Sequence, residues 1–567
     1  MEFCRVASFF TVPFIQNSEI MKKNDTSIND DEYINPFVFN TNWKHAFEDE
    51  EFVKVFSSDI LENYIINKRW YGGKSSTLKY IEVVDYFKIN SKNNTYYGVL
   101  LEVNFKEAFY QHYFMPISFM SKEELDTNTI IAPVKMNGQE GFLVDALHQE
   151  DFRKLLFDKI ANATGKEEKV KFHKGKKLEE KEYKSSKFMG VEQSNTSIIY
   201  NGTLVLKIFR RIYISTNPDY EISRFLTERM DFQHSPAYTG SISVGLSEGN
   251  ITLGLMQELV PNQGDAWQFM LDEMDRVFDN LKNKKIKISK LPDIELFKRL
   301  KLNEVPHELI DWAGLSIFMR IQILATRTAE MHIALGGDFH DTAFTPTTYN
   351  GDYTVWLKNR LTYQFQNRLN ILENNLHKLD GLALELANQF LDNKKEIRKL
   401  FLDFDWTKMK SERIRIHGDY HLGQVLVNGD DFYLLDFEGE PESTIRDRKV
   451  KQPPLKDVAG MFRSFHYAIY ATIFNNKEKY PYEQKELFQA GEILFKYLVG
   501  VFIQTYTDVA QSGNLNIGYR KEIDFLLKYC ILEKAVYELG YELNSRPRWA
   551  VIPLTGIASI MEFKASS

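Results

Sequence analysis

The sequence predicts an α+β chain, rich in strands in its first half and mainly helical in its second. Three observations lead there. From Leu78 to Phe119, and again from Thr196 to Phe209, β-branched and aromatic residues run in short stretches. Asn201-Gly202 is a strong tight-hairpin signal between two of those stretches. From Trp267 onward apolar residues fall at helical spacing, as in Ile317, Ile321, Leu324, Thr328 and Met331. A second hairpin interrupts the helical half: Val425-Leu426-Val427, a turn at Asn428-Gly429-Asp430-Asp431, then Phe432-Tyr433-Leu434-Leu435.

A length of 567 residues leaves room for three or four domains or subdomains. A charge of −7 without a basic bias argues against nucleic acid as the main partner. Cys4 and Cys530, far apart in the chain, make neither a disulfide framework nor a metal cluster, and they fit a reducing, cytoplasmic setting. No apolar run approaches the roughly 18 residues that span a bilayer, so no membrane partner is expected. The apolar stretch VASFFTVPFI is interrupted by Pro13 and lacks a small-residue cleavage site. Residues 1–40 are therefore expected to be a flexible extension, with 21–35 disordered.

Within 41–150, apolar spacing over Trp43 to Asn67 predicts a helix, and strands are expected at Ile81–Val84, Tyr97–Val103 and Ala108–Met115. Arg69-Trp70-Tyr71-Gly72-Gly73-Lys74 reads as a turn with an aromatic anchor. In 151–260, the run GKEEKVKFHKGKKLEEKEYKSS mixes acids with bases and is expected to be a solvated, mobile connector. A helical region fills 261–567, including an amphipathic segment from Asn359 to about Phe401. His332 and His340 have no metal-ligand spacing and read as structural.

Two stretches carry chemistry. In the strand Thr203–Phe209, Val205, Lys207 and Phe209 share a face, and a lysine among apolar neighbours is costly to bury unless an anion meets it. An edge-strand lysine facing water is the alternative. Pro218 opens a helix with Asp219 and Glu221 in its first turn. Lys207 with Glu221 has the form of the kinase pair that holds nucleotide phosphates. The preceding loop lacks a glycine-rich motif, so Ser194 and Thr196 are expected to cover the phosphates. Gln257, Glu258 and Val260 stand where a kinase hinge presents backbone groups to adenine.

The second stretch is 413–440, RIRIHGDYHLGQVLVNGDDFYLLDFEGE. Ile414 and Ile416 read as a short strand, followed by the polar turn His417-Gly418-Asp419-Tyr420-His421. Protein kinases place Asp-x-x-x-x-Asn before Asp-Phe-Gly; here Asp419-x-x-x-x-Gln424 precedes Asp436-Phe437-Glu438. Such a set suits phosphoryl transfer, with one carboxylate accepting a hydroxyl proton and an amide oxygen and a second carboxylate holding Mg²⁺. A hairpin whose acids only solubilise its turns is the bland alternative.

HGDYHLGQVL and LLDFEGEP resemble the maltokinases, and so do the Trp-Tyr-Gly-Gly-Lys stretch and the Asn-Pro-Asp-Tyr-Glu string. On the helix Leu532 onward, Lys534, Tyr537 and Tyr541 form one stripe. Spacing alone favours a core stripe with polar tips, whereas the resemblance implies a sugar-binding surface. Ser545-Arg546-Pro547-Arg548 departs from the family's usual Asn-Arg-Pro-Asp. The resemblance implies a bilobal protein-kinase-like fold with an N-terminal cap subdomain and a mainly helical C-lobe. It implies an ATP- and Mg²⁺-dependent kinase making maltose 1-phosphate for α-glucan assembly, with trehalose synthase as a candidate partner. Asp419 would be the catalytic base, Gln424 and Asp436 the metal ligands, and Lys207 and Glu221 the phosphate grip. Lys534, Tyr537, Tyr541, Glu438 and His417 would meet the sugar. A kinase for glucosamine or an aminoglycoside is the alternative within the class, and it should show acids on the C-terminal helices. A non-catalytic kinase-fold protein is the other. Arg446 and Arg448 fit phosphate contact and structural pairing equally.

Overall fold

The structure, a computed structural model, describes residues 35–561 apart from 93, 122–128, 164–168, 191–193, 247–248 and 477. The expected N-terminal extension, with its disordered part, lies almost wholly outside the described residues. The chain forms two compact units. One runs to Arg224 and includes Ala237–Leu259; the other comprises Phe225–Pro236 and Val260 onward.

The first unit holds two sheets. In the seven-stranded sheet the spatial order is Phe37–Phe39, Ile130–Met136, Gln139–Asp145, Tyr110–Met120, Thr95–Phe105 and Leu78–Asn90, with Arg211–Ile212 added to Tyr110–Met120. The six-stranded sheet runs Val170–Lys174, Tyr238–Leu246, Gly249–Glu258, Leu204–Phe209, Asn195–Tyr200 and Ser186–Phe188. Asn201 and Gly202 both take positive φ (54° and 74°), which is the backbone a tight hairpin turn needs. One face of the first sheet buries Phe47, Phe52 and Phe56, while Phe87, Tyr96 and Phe114 from the same sheet join the core of the second. The expected helix over 43–67 is broken into 3₁₀, α and π segments, because Asp49 caps a new start by accepting from the Glu51 and Phe52 amides. Trp70 and Tyr71 are buried, and the Gly72 amide donates to the Tyr113 hydroxyl at 2.9 Å, so this stretch is an anchor.

Within the Lys/Glu-rich run, whose first residues 165–168 lie outside the described residues, Val170–Lys174 is a strand and not part of the mobile connector that composition predicts. Glu150–Ala161 is a helix packed through Phe152, Leu156, Phe157 and Ile160, and Val170–Lys174 pairs antiparallel with Tyr238–Leu246. Alternation hid the strand: Val170 and Phe172 point inward between lysines that stay at the surface. Arg210, wholly buried, meets Asp145 at 2.6 Å and Thr196 Oγ1 at 2.8 Å, with the Trp70 ring 5.4 Å away. That cluster ties the two sheets together through charge.

The second unit is helical around one hairpin. Leu315–Leu335 buries Ile317, Ile321, Leu324, Thr328 and Met331, the stripe expected from spacing. The segment expected as one amphipathic stretch is three helices, Gly351–Asn375, Gly381–Asp392 and Lys394–Leu402. Leu455–Asn475, Gln484–Ser512, Arg520–Ser545 and Val551–Met561 complete it. The hairpin Val425–Asn428/Asp431–Leu434 sits among them with Asn428 opposite Asp431. Arg327 holds Asp431 through two hydrogen bonds of 2.8 and 2.7 Å, and Gln263 and Gly264 bond to its Val427 edge. Ile414 forms only a bridge, to Gln452, rather than opening a strand. No single helix among the described residues is long and apolar enough to cross a membrane.

Candidate active site

In the first unit Lys207 leaves the strand Leu204–Phe209 beside the helix Pro218–Glu228. Asp219, buried and two residues before the expected Glu221, meets the Lys207 ammonium at 3.1 Å. Asn217 Oδ1 accepts from the Asp219 amide, and Ser223 links Asp219 to Gln257, whose side chain donates to the serine hydroxyl at 3.1 Å. Gln257 and Glu258 end the neighbouring strand Gly249–Glu258, and Val260 opens the second unit. The Glu258 and Leu259 amides are bonded to Ala237 and Thr203 carbonyls, so neither is available to a nucleotide base. Ser194 is exposed just ahead of the strand Asn195–Tyr200. Thr196 is a correction: its side chain is 1% exposed and accepts from Arg210, so it faces the core and cannot cover phosphates.

In the second unit the loop carrying Asp419 is held rigidly. Asp457 accepts from the His417 amide at 2.7 Å, the Gly418 amide at 2.9 Å and His332 Nε2 at 3.0 Å. Burial pushes its carboxyl up, but the hydrogen bond from His332 and nearby charge outweigh this and hold it below the usual range. His332, bonded also to Tyr506, is the structural histidine expected. His417 is a correction. It is 1% exposed, its Nε2 meets the Leu435 carbonyl at 3.0 Å, and its ring lies against Phe437, so it braces the hairpin and does not reach a sugar. Gly418 has φ +86°, and a Cβ there would lie 3.3 Å from Gly439 Cα, which brings the loops before and after the hairpin into contact.

Gln424 and Asp436 are brought together as expected, the Gln424 amide donating to Asp436 Oδ2 at 2.9 Å. Asp436 has φ +66°, a conformation costing about 1–3 kcal/mol in a non-glycine residue and typical of positions set by function. The Asp436 carboxylate and the amide oxygen that Gln424 also carries are hard donors of the type a magnesium-like cation takes. His421, buried nearby, feels both Asp419 and Asp436; burial lowers it to about 4, so it is neutral. Its Nδ1 accepts from the Gly423 amide, which leaves the proton on Nε2. Glu438 follows Phe437, and its carbonyl accepts from Arg448, which also bonds the Ser443 and Pro441 carbonyls. Arg448 is thus a brace for this loop.

A cavity of about 30 Å³ lies beside Asp419. Lys534 and Tyr537 line it, with Arg360, Glu440, Lys456 and Glu533. Lys534 Nζ is 3.4 Å from Asp419 and 3.8 Å from Glu440; Arg360 meets Glu440 at 2.6 Å, and Lys456 meets Glu533 at 3.0 Å. Burial alone would raise the Glu440 carboxyl, but Arg360, Lys534 and Lys456 bring it down to about 2. Burial would lower the Lys534 ammonium, yet Asp419 and Glu440 hold it above its usual range. Tyr537 is hydrogen-bonded to Glu442, with Arg368 over its ring at 5.0 Å. Tyr541, one turn on, is not part of the cavity lining; Arg546 covers its ring at 5.7 Å.

Sequence reasoning passed over Asp219, Arg360, Glu440 and the real task of Asp457. Asp457 lies in the first turn of the helix Leu455–Asn475, after Pro454, and its carboxylate reaches back to the Asp419 loop. The pattern Asp-Phe-Glu-Gly-Glu already offered Glu440; Arg360 left no local signal.

No family model matches the chain. A segment of 148 residues is 28% identical to a glucosamine kinase of Mycolicibacterium smegmatis, covering 26% of this chain and 34% of that one. A glucosamine kinase of Streptacidiphilus jiangxiensis is 22% identical over 148 residues, 26% of this chain and 32% of its own. The chain thus spans about a third of the length of the curated relatives it matches. In three dimensions it is similar to a glucosamine kinase solved in complex with glucosamine, ADP and inorganic phosphate. The TM-score is 0.56 at 15% identity, over 85% of this chain and 94% of that one. The chain has a kinase-like α+β fold.

Proposed function

We propose that this chain is an ATP-dependent sugar kinase with an amino sugar, glucosamine, as its acceptor. The observation that carries the reading is Asp419, fixed by Asp457 and facing a small polar cavity, with Gln424 and Asp436 paired beside the same hairpin. Asp419 accepts the proton of the attacking hydroxyl. Gln424 and Asp436 would hold Mg²⁺, which neutralises phosphate charge when bound. Lys207, steadied by Asp219, grips the nucleotide phosphates. The rate advantage comes from positioning and from charges fixed in advance.

Two findings support an amino sugar over maltose. Two relatives with matching segments are glucosamine kinases. Glu442, bonded to the cavity residue Tyr537, is also pushed up by burial and would gain from an incoming ammonium, whereas Glu440 and Glu533 already meet Arg360, Lys534 and Lys456. Maltose is the second reading. It rests on the maltokinase-like motifs and on Lys534 and Tyr537 lining the cavity, while Tyr541 stands off it. Association with a trehalose synthase belongs to that reading alone. The test is incubation with ATP, Mg²⁺ and a panel of glucosamine, glucose, maltose and an aminoglycoside, with products weighed by mass spectrometry. Glucosamine phosphate is expected. Maltose phosphate without glucosamine phosphate would reverse the order, and the absence of any phosphorylated sugar across the panel would end the sugar-kinase reading.

A further inference from the structure

The cavity beside Asp419 is too small for its proposed purpose. Its volume of about 30 Å³ holds about two waters, since one needs roughly 10–15 Å³, whereas ligand pockets measure about 300–1,000 Å³. Something lining it must move before an acceptor can enter. The Asp419 loop is a poor candidate, because Asp457 pins two of its amides and Gly418 lies against Gly439. Arg360 is held at 2.6 Å by Glu440 and Lys456 at 3.0 Å by Glu533. Lys534 is different. Its contact with Asp419, 3.4 Å, is long for a charge-assisted hydrogen bond, which ordinarily spans about 2.7–2.9 Å. A second carboxylate oxygen, Glu440 Oε1, stands 3.8 Å from the same ammonium, and Arg360 occupies the other oxygen of that group.

We propose that Lys534 is a guard on the base: it covers Asp419 until an acceptor enters, and then passes to Glu440. This rests on the sugar-kinase reading above and adds to it a means of rejecting water. In the productive reaction the acceptor oxygen bonds to the γ-phosphorus, the bond from that phosphorus to the β,γ-bridging oxygen breaks, and the hydroxyl proton goes to Asp419. Water can take the acceptor's place in the same step, giving ADP and inorganic phosphate. With Lys534 on Asp419 the carboxylate is a weaker base toward a cavity water, and ATP is spared. A sugar displaces the ammonium by filling its space, and Glu440, kept ionised by Arg360, receives it. Lys534 is thus a specificity-determining residue that sets the ratio of transfer to hydrolysis.

The test measures ADP release with ATP and Mg²⁺ in the full chain, without a sugar and then with one. Lys534→Met is expected to raise sugar-free hydrolysis about tenfold or more, within the range a positioned base contributes, while kcat/KM for the sugar falls. Lys534→Arg, which keeps the charge, is expected to bring hydrolysis back below the Lys534→Met rate. A second measurement uses the unaltered protein. A deoxy analogue of the sugar found to be phosphorylated, lacking the reacting hydroxyl, is expected to stimulate ATP hydrolysis several-fold by displacing Lys534. Sugar-free hydrolysis in Lys534→Met at or below the unaltered rate overturns the guard, and so does an analogue that binds without stimulating. Either result leaves sugar phosphorylation by the unaltered protein intact, so failure of the guard is distinguishable from failure of the kinase reading.

Discussion

Replacing Asp457 by asparagine should weaken both the fold and the turnover of this protein. The carboxylate is 2% exposed and accepts three hydrogen bonds, with His417 N–H and His332 on one oxygen and Gly418 N–H on the other. Asparagine keeps one accepting oxygen. If that oxygen serves His417 and His332, the new amide NH₂ faces the Gly418 N–H, donor against donor. One hydrogen bond to a charged group, worth about 1.5–3 kcal/mol, is then lost, and the other two weaken to neutral strength. The sum is about 3–5 kcal/mol, the range for breaking a buried charged network. Urea unfolding of D457N at pH 7, followed by tryptophan fluorescence, should show that loss. The sugar-dependent kcat should fall about 100-fold, because the Asp419 loop drifts. The effect has a pH signature. Asp457 is held below its ordinary value, so its contribution is present above about pH 4 and disappears as pH falls through the folded-state pKa. The gap between the two proteins should therefore close on acidification. A stability change below about 1 kcal/mol, or a gap that widens in acid, would refute the reasoning.

Other consequences can be checked alongside. Asp145→Ala removes the carboxylate that fully buried Arg210 meets at 2.6 Å and should cost about 3–5 kcal/mol in thermal or urea unfolding; joint replacement of both by apolar residues should cost much less. Gly418→Ala places a side chain at φ +86° and 3.3 Å from Gly439, so turnover should drop with the helical circular dichroism unchanged. Glu542 is raised by burial to about 7 despite its pair with Arg546. A carboxyl raised on folding favours the folded state at low pH, and that advantage is lost as pH rises towards 7. Stability should therefore decline between the ordinary carboxylate value and about pH 7, and Glu542→Gln should flatten that decline.

The fold was legible wherever local pattern and burial agree. Asn201-Gly202 marks its hairpin because only a few residues tolerate that turn, and Ile317 to Met331 mark a helix because one face is in the core. The pairing of Gln424 with Asp436 followed from the hairpin's register. Composition misled at Val170–Lys174, where lysines with long apolar stems flank an inward strand. Thr196 and His417 misled for another reason: strand and loop position can be read from sequence, but which face of the element is buried depends on partners such as Arg210 and Phe437, distant in the chain. Asp219 and Glu221 stand two positions apart in one helical turn, and only the strand beside the helix shows that Asp219 meets Lys207. Arg360 and Glu440, 80 positions apart, had nothing local to connect them.

The central claim is that Asp419 takes a proton from a sugar hydroxyl as ATP gives up its γ-phosphoryl group. Its most direct test compares the unaltered protein and Asp419→Asn by mass spectrometry of products formed from ATP, Mg²⁺ and glucosamine. The unaltered protein should yield a phosphorylated sugar with ADP in equal amounts, and the variant should be slower by about 100-fold or more at unchanged circular dichroism. Phosphorylation by the variant at the unaltered rate would contradict the assignment.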